Sequence, residues 1–161
     1  MAKGDILVHK TLVFGEPASK TCNVAAGATT INPGEPVTRA LGGITVTAMA
    51  TNKPVVATDF LEGIATTTSS QTASVAGTVE VLPLVPGTIY KMKPNAPTSW
   101  DTQAEYDALV GKRVLIDLTG GNYTILAADG ATSGCVIEAL DVTKNPGYVA
   151  FSFRTGVSVL S

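Results

Sequence analysis

The chain of 161 residues carries a net charge of −2; 15% of its side chains are charged and 45% are hydrophobic. Soluble domains usually carry about 25% charged residues, so this surface is poor in charge. Because interface cores are depleted in charged residues, the composition favours a protein that works packed against partners. Lysine and arginine are not clustered, which argues against a nucleic-acid partner. No apolar run approaches the ~20 residues of a membrane span, so we expect no membrane partner.

The N-terminus and the cysteines indicate the compartment. Residues 1–10 include basic side chains but lack the apolar core and the small-residue cleavage site of a secretory signal. We therefore expect synthesis in a reducing cytoplasm, where Cys22 and Cys135 would be free thiols. The alternative is one disulfide that ties the N-terminal region to the C-terminal half.

β-Branched and aromatic residues dominate Asp5–Phe14, which predicts a strand or an extended arm. The segment 18–33 behind it is rich in small residues and offers little apolar surface to pack on. Because the apolar side chains of the arm still need burial, we predict that residues 1–20 bind a neighbouring chain. Residues 21–161 are predicted to form a β-rich domain. The candidate interface residues are Ile6, Leu7, Val8, Leu12, Val13 and Phe14.

From residue 37 to residue 93, short apolar segments alternate with turn signals, which is typical of a β-sandwich or β-barrel. Gly42-Gly43 predicts a hairpin turn. The Thr/Ser-rich stretch Leu61–Ser74 has one charge, at Glu62, and is predicted to present surface. Two prolines in Leu82–Gly87 cannot donate ladder hydrogen bonds, so this segment is predicted to be a sheet edge or a turn. The predicted strands are Val37–Leu41, Ile44–Met49, Val55–Ala57, Phe60–Ala65, a segment around Val79 and Val81, and Thr88–Lys93.

A single helix is predicted after Pro97. Thr102 and Glu105 match a capping box, and Tyr106, Leu109 and Val110 share one helical face. With Gly111 as the terminating residue, this predicts a helix of about ten residues. Trp100 is predicted to pack against Tyr106 or the sheet.

The strand rhythm then resumes, with turns at Gly120-Gly121, Asp129-Gly130 and Asn145-Pro146-Gly147. Four strands joined by tight turns predict an antiparallel meander, with Phe151 and Phe153 on one face. The predicted fold is mainly β: an antiparallel barrel or sandwich with one short helix, an extended N-terminal arm and a subdivision near residues 94–100. The four predicted strands are Arg113–Leu118, Asn122–Ala127, Cys135–Val142 and Tyr148–Arg154.

The sequence contains no pattern that predicts catalysis or cofactor binding. His9 is the one histidine, and with two distant cysteines it lacks the spacing of a zinc site. No Gly-x-Ser-x-Gly elbow is present. Asp129-Gly130 and Asn145-Pro146-Gly147 fit turns better than calcium loops, because no run of alternating oxygen ligands accompanies them. We therefore expect no enzyme, no metal and no cofactor.

The order of segments resembles a known family. An N-terminal arm precedes Phe60-Leu61-Glu62-Gly63-Ile64-Ala65 and a Thr/Ser run, and Gly77-Thr78-Val79-Glu80-Val81 and Pro86-Gly87-Thr88-Ile89-Tyr90 follow. Over about residues 3–94, this order resembles the small β-barrel decoration, or cement, proteins of tailed-bacteriophage capsids. The resemblance implies a virion protein that binds the outer surface of the shell built by the major capsid protein, often as a trimer, and reinforces the shell. It implies no catalytic residues.

Two alternatives remain open from the sequence. One is a β-sandwich adhesin or carbohydrate-binding module of a phage fibre, with Trp100, Tyr90 and Tyr123 as a sugar-stacking platform; these aromatics also fit a core. The other is a small hydrolase, which the absence of a catalytic pattern disfavours. We expect a homo-oligomer on the capsid surface of the virion, assembled in the host cytoplasm.

Overall fold

The computed structural model describes residues 7–10, 18–40, 42–56, 60–85, 87–96, 100–126 and 130–154, with the backbone alone for Leu7–Lys10 and Thr119. Within these residues the fold is mainly β, with two antiparallel sheets and one short helix, as the sequence predicts. The elements are β1 (Leu7–Lys10), β2 (Lys20–Val24), β3 (Pro36–Arg39), β4 (Val46–Ala48), β5 (Phe60–Ala65), β6 (Gly77–Pro83), β7 (Ile89–Met92), α1 (Gln103–Asp107), β8 (Arg113–Thr119), β9 (Asn122–Leu126), β10 (Cys135–Ile137) and β11 (Val149–Phe153).

Five strands form the small sheet, in the order β2-β6-β5-β3-β4. Alternation along β6 buries Val79 and Val81 on one face and exposes Thr78 on the other. The sheet curls until its outer strands approach each other at a parallel bridge between Asn23 and Thr45. The curled face encloses a small core of Cys22, Val24, Ile31, Val37, Val46, Ala65, Val79 and Val81.

Six strands form the large sheet, in the order β1-β7-β11-β10-β8-β9. This sheet also curls, because the chain that follows β7 pairs with β9. The amide of Ile125 donates to the carbonyl of Lys93 at 2.9 Å, and the amide of Asn95 donates to the carbonyl of Ile125 at 2.9 Å. The result is a curled half-barrel.

Aromatic rings fill the core of the large sheet. The ring centroid of Tyr90 lies 5.9 Å from that of Phe151 and 5.2 Å from that of Phe153, so the two phenylalanines share a face as predicted. The ring centroids of Trp100 and Tyr106 lie 6.4 Å apart, which confirms the predicted contact between these two residues. Burial of these large rings removes apolar surface from water and stabilises the fold.

The two sheets are joined through shared core residues and through the segment 51–56. The hydroxyl of Tyr123 donates to the carbonyl of Met49 at 2.7 Å, and Met49 itself packs in the large core. The amide of Ile116 donates to the carbonyl of Lys53 at 2.6 Å, and the reverse bond measures 3.1 Å. The predicted strand Val55–Ala57 is represented by a single bridge between Val55 and Ser133, and Ala57 lies outside the described residues.

The proline corner after β6 carries the chain from the small sheet to the large one. Leu82 and Pro83 belong to β6, where they pair with Ile64 and Gly63 of β5. The pairing of β2 with β6 reaches no further than Val81, so Pro83 lies where β6 has one neighbour. β6 as a whole lies between β2 and β5, so the predicted sheet edge is present only locally at Pro83. The missing N–H of Pro83 is tolerated there because β6 has no second neighbour at this residue. Pro86 lies outside the described residues.

The helix is shorter than predicted. Its capping box is present, with Thr102 as the N-cap and Glu105 reaching back. However, α1 ends at Asp107, and tighter turns follow, in which the amide of Leu109 donates to the carbonyl of Tyr106. The amide of Gly111 donates to the carbonyl of Ile137 in β10. The competing bond to the sheet ends the helix before the apolar face is complete.

The predicted C-terminal meander is also wrong. The hairpin of β8 and β9 at Gly120-Gly121 forms as expected. The next strand, β10, pairs with the opposite side of β8 and lies between β8 and β11. β10 does not pair with β9, because the free edge of β9 already forms hydrogen bonds with the chain that follows β7.

Candidate interaction surface

The structure describes part of the predicted arm. Leu7 and Val8 lie in β1, whereas Ile6, Leu12, Val13 and Phe14 lie outside the described residues. β1 is an outer strand of the large sheet and pairs with β7 through Leu7–Lys91, Val8–Tyr90 and Lys10–Ile89, with an irregularity between the last two pairs. This part of the arm thus pairs with its own chain, where the sequence predicted a neighbouring chain in its place. A contact of the arm with a neighbouring chain stays a prediction. The division into an arm of residues 1–20 and a domain of residues 21–161, with a subdivision near 94–100, stays a prediction. Lys20 itself is the first residue of β2.

An ion cluster closes one end of the small sheet. The carboxylate of Glu62 pairs with the ammonium group of Lys20 through one oxygen and with the guanidinium group of Arg39 through the other. The Glu62 side chain is 1% exposed, whereas those of Lys20 and Arg39 are 26% and 30% exposed. A buried carboxylate requires such partners, because an unpaired buried charge is costly. We call this end of the small sheet the mouth.

Sequence reasoning missed this cluster. Glu62 stands out as the one charge in its stretch, but Lys20 and Arg39 lie far away along the chain. The alternation of side chains along β2 and β3 could have identified Lys20 and Arg39. Lys20 and Cys22 share one side of β2, and Arg39 and Val37 share one side of β3. In both strands a cation continues the row of core residues.

The Thr/Ser stretch contains exposed threonines, which are followed by serines that form hydrogen bonds to β6 and to the loop that precedes β3. The prediction of surface is wrong for Leu61–Ala65, which belong to β5 and are buried, whereas Thr66, Thr67 and Thr68 are exposed as predicted. Ser69 is buried, and its hydroxyl accepts a hydrogen bond from the amide of Ile31 at 2.8 Å. The amide of Ser70 donates to the carbonyl of Thr78 in β6 at 2.9 Å. The stretch is thus an ordered strap between β6 and the loop that precedes β3.

The outer face of the small sheet is lined by hydroxyl groups. Thr38 lies opposite Thr47, and Asn23 lies opposite Thr78. The carboxylate of Glu80 on this face accepts a hydrogen bond of 2.5 Å from the hydroxyl of Thr21. Threonine side chains on a pleated sheet have few rotamers to lose when they are covered. This face therefore suits contact with another protein at little entropic cost.

Exposed aliphatic side chains lie at both ends of the small sheet. Ile44 is 77% exposed and Val75 is 61% exposed. Ile44 follows the Gly42-Gly43 turn and precedes β4, so it lies at the mouth. Val75 lies in the loop before β6, whose first residue, Gly77, pairs with Val24 at the far end of β2.

The cysteines are both free and lie in different cores. Complete burial raises the pKa of the Cys135 thiol well above its ordinary range. Burial, followed by the negative charge of Glu62, raises the pKa of Cys22. Both effects reduce the thiolate fraction, and the thiolate is the reactive form. These thiols are therefore core residues.

Among the described residues, no three His, Cys, Asp or Glu side chains converge to hold a metal ion. The side chain of His9 lies outside the described part of the chain. Hydrogen bonds from Thr102 come first in lowering the pKa of Glu105, whose role is to cap α1.

The aromatic residues considered as a sugar platform belong to the large core. Trp100, Tyr90 and Tyr123 are each buried. A stacking platform requires an exposed ring face, so none of the three can serve as one in this structure.

In the described ranges, no helix has both the length and the apolar character needed to cross a membrane. No protein-family profile, curated protein or solved structure matches this chain.

Proposed function

We propose that the protein is a decoration protein of a tailed-bacteriophage virion, which binds the outer surface of the major capsid protein shell and stabilises it. The observation that carries this proposal is the position of β1, an edge strand that pairs with β7. Edge pairing uses backbone hydrogen bonds and can be extended to, or exchanged with, a strand of a neighbouring protein. The order of sequence segments that resembles capsid decoration proteins supports the same function.

The surface properties support a role in permanent contact. The outer face of the small sheet carries threonine hydroxyls, and 15% of the residues in the chain are charged. Such a surface gains little from one weak contact, whereas linked contacts multiply avidity. We therefore propose a symmetric homo-oligomer, a trimer, that forms in solution or on the particle, where three-fold positions repeat. Binding is driven by apolar burial and backbone pairing.

The arm can be tested with purified shells and a chain that lacks residues 1–14. We expect the truncated chain, which lacks β1, to remain folded, seen as a β-type circular dichroism spectrum and a cooperative unfolding transition, and to cosediment more weakly with shells. His9→Ala is the control inside the arm and should bind as the unaltered chain does. Unfolding of the truncated chain as a monomer would show that β1 is a core strand and would contradict the proposal.

Assembly can be tested on the particle itself. The copy number per shell should be a multiple of three, and raising the salt concentration should release little protein. Copy numbers unrelated to three, or release by moderate salt alone, would count against the proposed trimer. Binding to glycans in place of shells would favour an adhesin.

A further inference from the structure

The mouth combines features that occur together nowhere else among the described strands of the small sheet. Those strands contain two cationic side chains, Lys20 and Arg39, and both lie at the mouth. Both pair with one carboxylate, that of Glu62, so these three side chains together carry one more positive than negative charge. The outer face of the sheet, in contrast, carries Thr21, Thr47, Thr78 and one carboxylate, that of Glu80, and no cation from the described strands.

The excess charge can be reached from outside. Glu62 is enclosed, but Lys20 and Arg39 are each partly exposed. Arginine carries five N–H donors and lysine three, and the pairing with Glu62 involves the Nε of Arg39 and the Nζ of Lys20. Both side chains therefore retain donor capacity toward the solvent side. A carboxylate is the protein group whose charge and geometry match such donors.

An exposed aliphatic side chain lies at the same end of the sheet as these cations. Ile44 lies two residues before β4, and Val46, the first residue of β4, pairs with Arg39. The side chain of Ile44 therefore presents apolar surface to solvent at this end of the sheet. Covering it would remove apolar surface from water.

We propose that the mouth, formed by Lys20, Arg39 and Ile44 over the buried Glu62, docks an acidic side chain of the capsid shell protein together with an apolar neighbour of that side chain. The inference rests on the proposed function for the identity of the partner. Charge complementarity selects the acidic group. A single ion contact keeps the overall salt dependence weak.

The test changes Ile44 and leaves the ion cluster intact. Ile44→Asp brings a negative charge to the mouth, Ile44→Lys brings a positive one, and Val75→Asp makes the matched change at the opposite end. Binding to purified shells is measured for each by cosedimentation. We expect Ile44→Asp to weaken binding about tenfold or more, since it removes an interface anchor and repels the acidic group. Ile44→Lys should weaken binding much less, and Val75→Asp should change it less than about twofold.

Thermal melting and the rate at which Cys22 reacts with a thiol reagent should be unchanged in all variants, which shows that the mouth remains folded. Equal effects of Ile44→Asp and Val75→Asp would overturn the docking site. Equal effects of Ile44→Asp and Ile44→Lys would overturn the acidic partner. Failure of the unaltered chain to bind shells would overturn the proposed function itself, and it is recognised before any variant is compared.

Discussion

Glu62 is a carboxylate almost completely removed from water, with one cation on each oxygen. Its partners come from β2 and β3, strands that are not neighbours in the small sheet. The cluster therefore helps to fix the position of β2 relative to β3 and β5 at the end of the sheet. Breaking such a pair is costly, since it leaves charges without their partner.

Replacing Glu62 with Gln should reduce the free energy of unfolding by about 3 kcal/mol, the lower end of the range for buried pairs, because Lys20 and Arg39 are partly hydrated. Urea unfolding at neutral pH measures this. Glu80→Gln is the matched control, since Glu80 accepts a hydrogen bond from Thr21 and should cost less than about 1 kcal/mol. Equal losses for the two variants would show that the cluster adds nothing specific.

In the Thr/Ser strap that follows β5, serine hydroxyl groups accept hydrogen bonds from backbone amides that a neighbouring strand would otherwise accept. The hydroxyl of Ser69 accepts a hydrogen bond from the amide of Ile31, a residue that is fully buried in the small core. Ser70 uses its hydroxyl as acceptor for the amide of Thr78, at 3.0 Å. At Gly77 a Cβ would come within 2.2 Å of the backbone nitrogen of Gln71, so the strap lies directly against the start of β6.

Ser69→Ala should reduce the free energy of unfolding by ~1–3 kcal/mol, because the buried amide of Ile31 loses its acceptor. Thr68→Ala, at an exposed neighbouring position, should change it by less than about 0.5 kcal/mol. Amide exchange supplies a second readout: the amide of Ile31 should exchange faster in Ser69→Ala alone. Unchanged protection of Ile31 would indicate that another group accepts this hydrogen bond.

The phenol of Tyr106 is one of the groups that attach the helix to the large sheet. The hydroxyl of Tyr106 donates to the carbonyl of Glu138 at 2.9 Å and accepts from the amide of Ala150 at 2.8 Å. Tyr106→Phe should therefore cost ~1–3 kcal/mol of unfolding free energy, measured by urea unfolding. In the control Tyr148→Phe, the ring under the ammonium group of Lys91 is retained and the loss should stay below about 0.5 kcal/mol. A cost for Tyr106→Phe as small as that of the control would contradict this role.

At the scale of the whole molecule, three buried tyrosine phenols make the free energy of unfolding depend on pH in the alkaline range. Burial raises the pKa of Tyr90 and of Tyr106 to about 12, and that of Tyr123 further. In the unfolded chain a tyrosine titrates near 10. The folded state favours the protonated phenols, so their contribution to stability is complete below about pH 10 and is lost as the pH rises toward the folded values.

We expect the free energy of unfolding to fall steeply between about pH 10 and 12, with tyrosinate absorbance rising together with loss of the circular dichroism signal. Tyr106→Phe should flatten part of this fall, because one of the three groups is removed. Tyrosinate formation at about pH 10 with the sheets intact would contradict the burial of these rings.

The sequence by itself determined the local features of this protein: the β-rich class, the hairpins at Gly42-Gly43 and Gly120-Gly121, and the capping box at Thr102. Each depends on residues within a few positions of one another, where alternation, turn chemistry and capping act directly. Only the tertiary structure decided the early end of α1 and the insertion of β10 between β8 and β11. It also decided the meeting of Lys20, Arg39 and Glu62 and the burial of Ser69. These depend on pairings between distant segments, and the same local pattern is compatible with many such pairings.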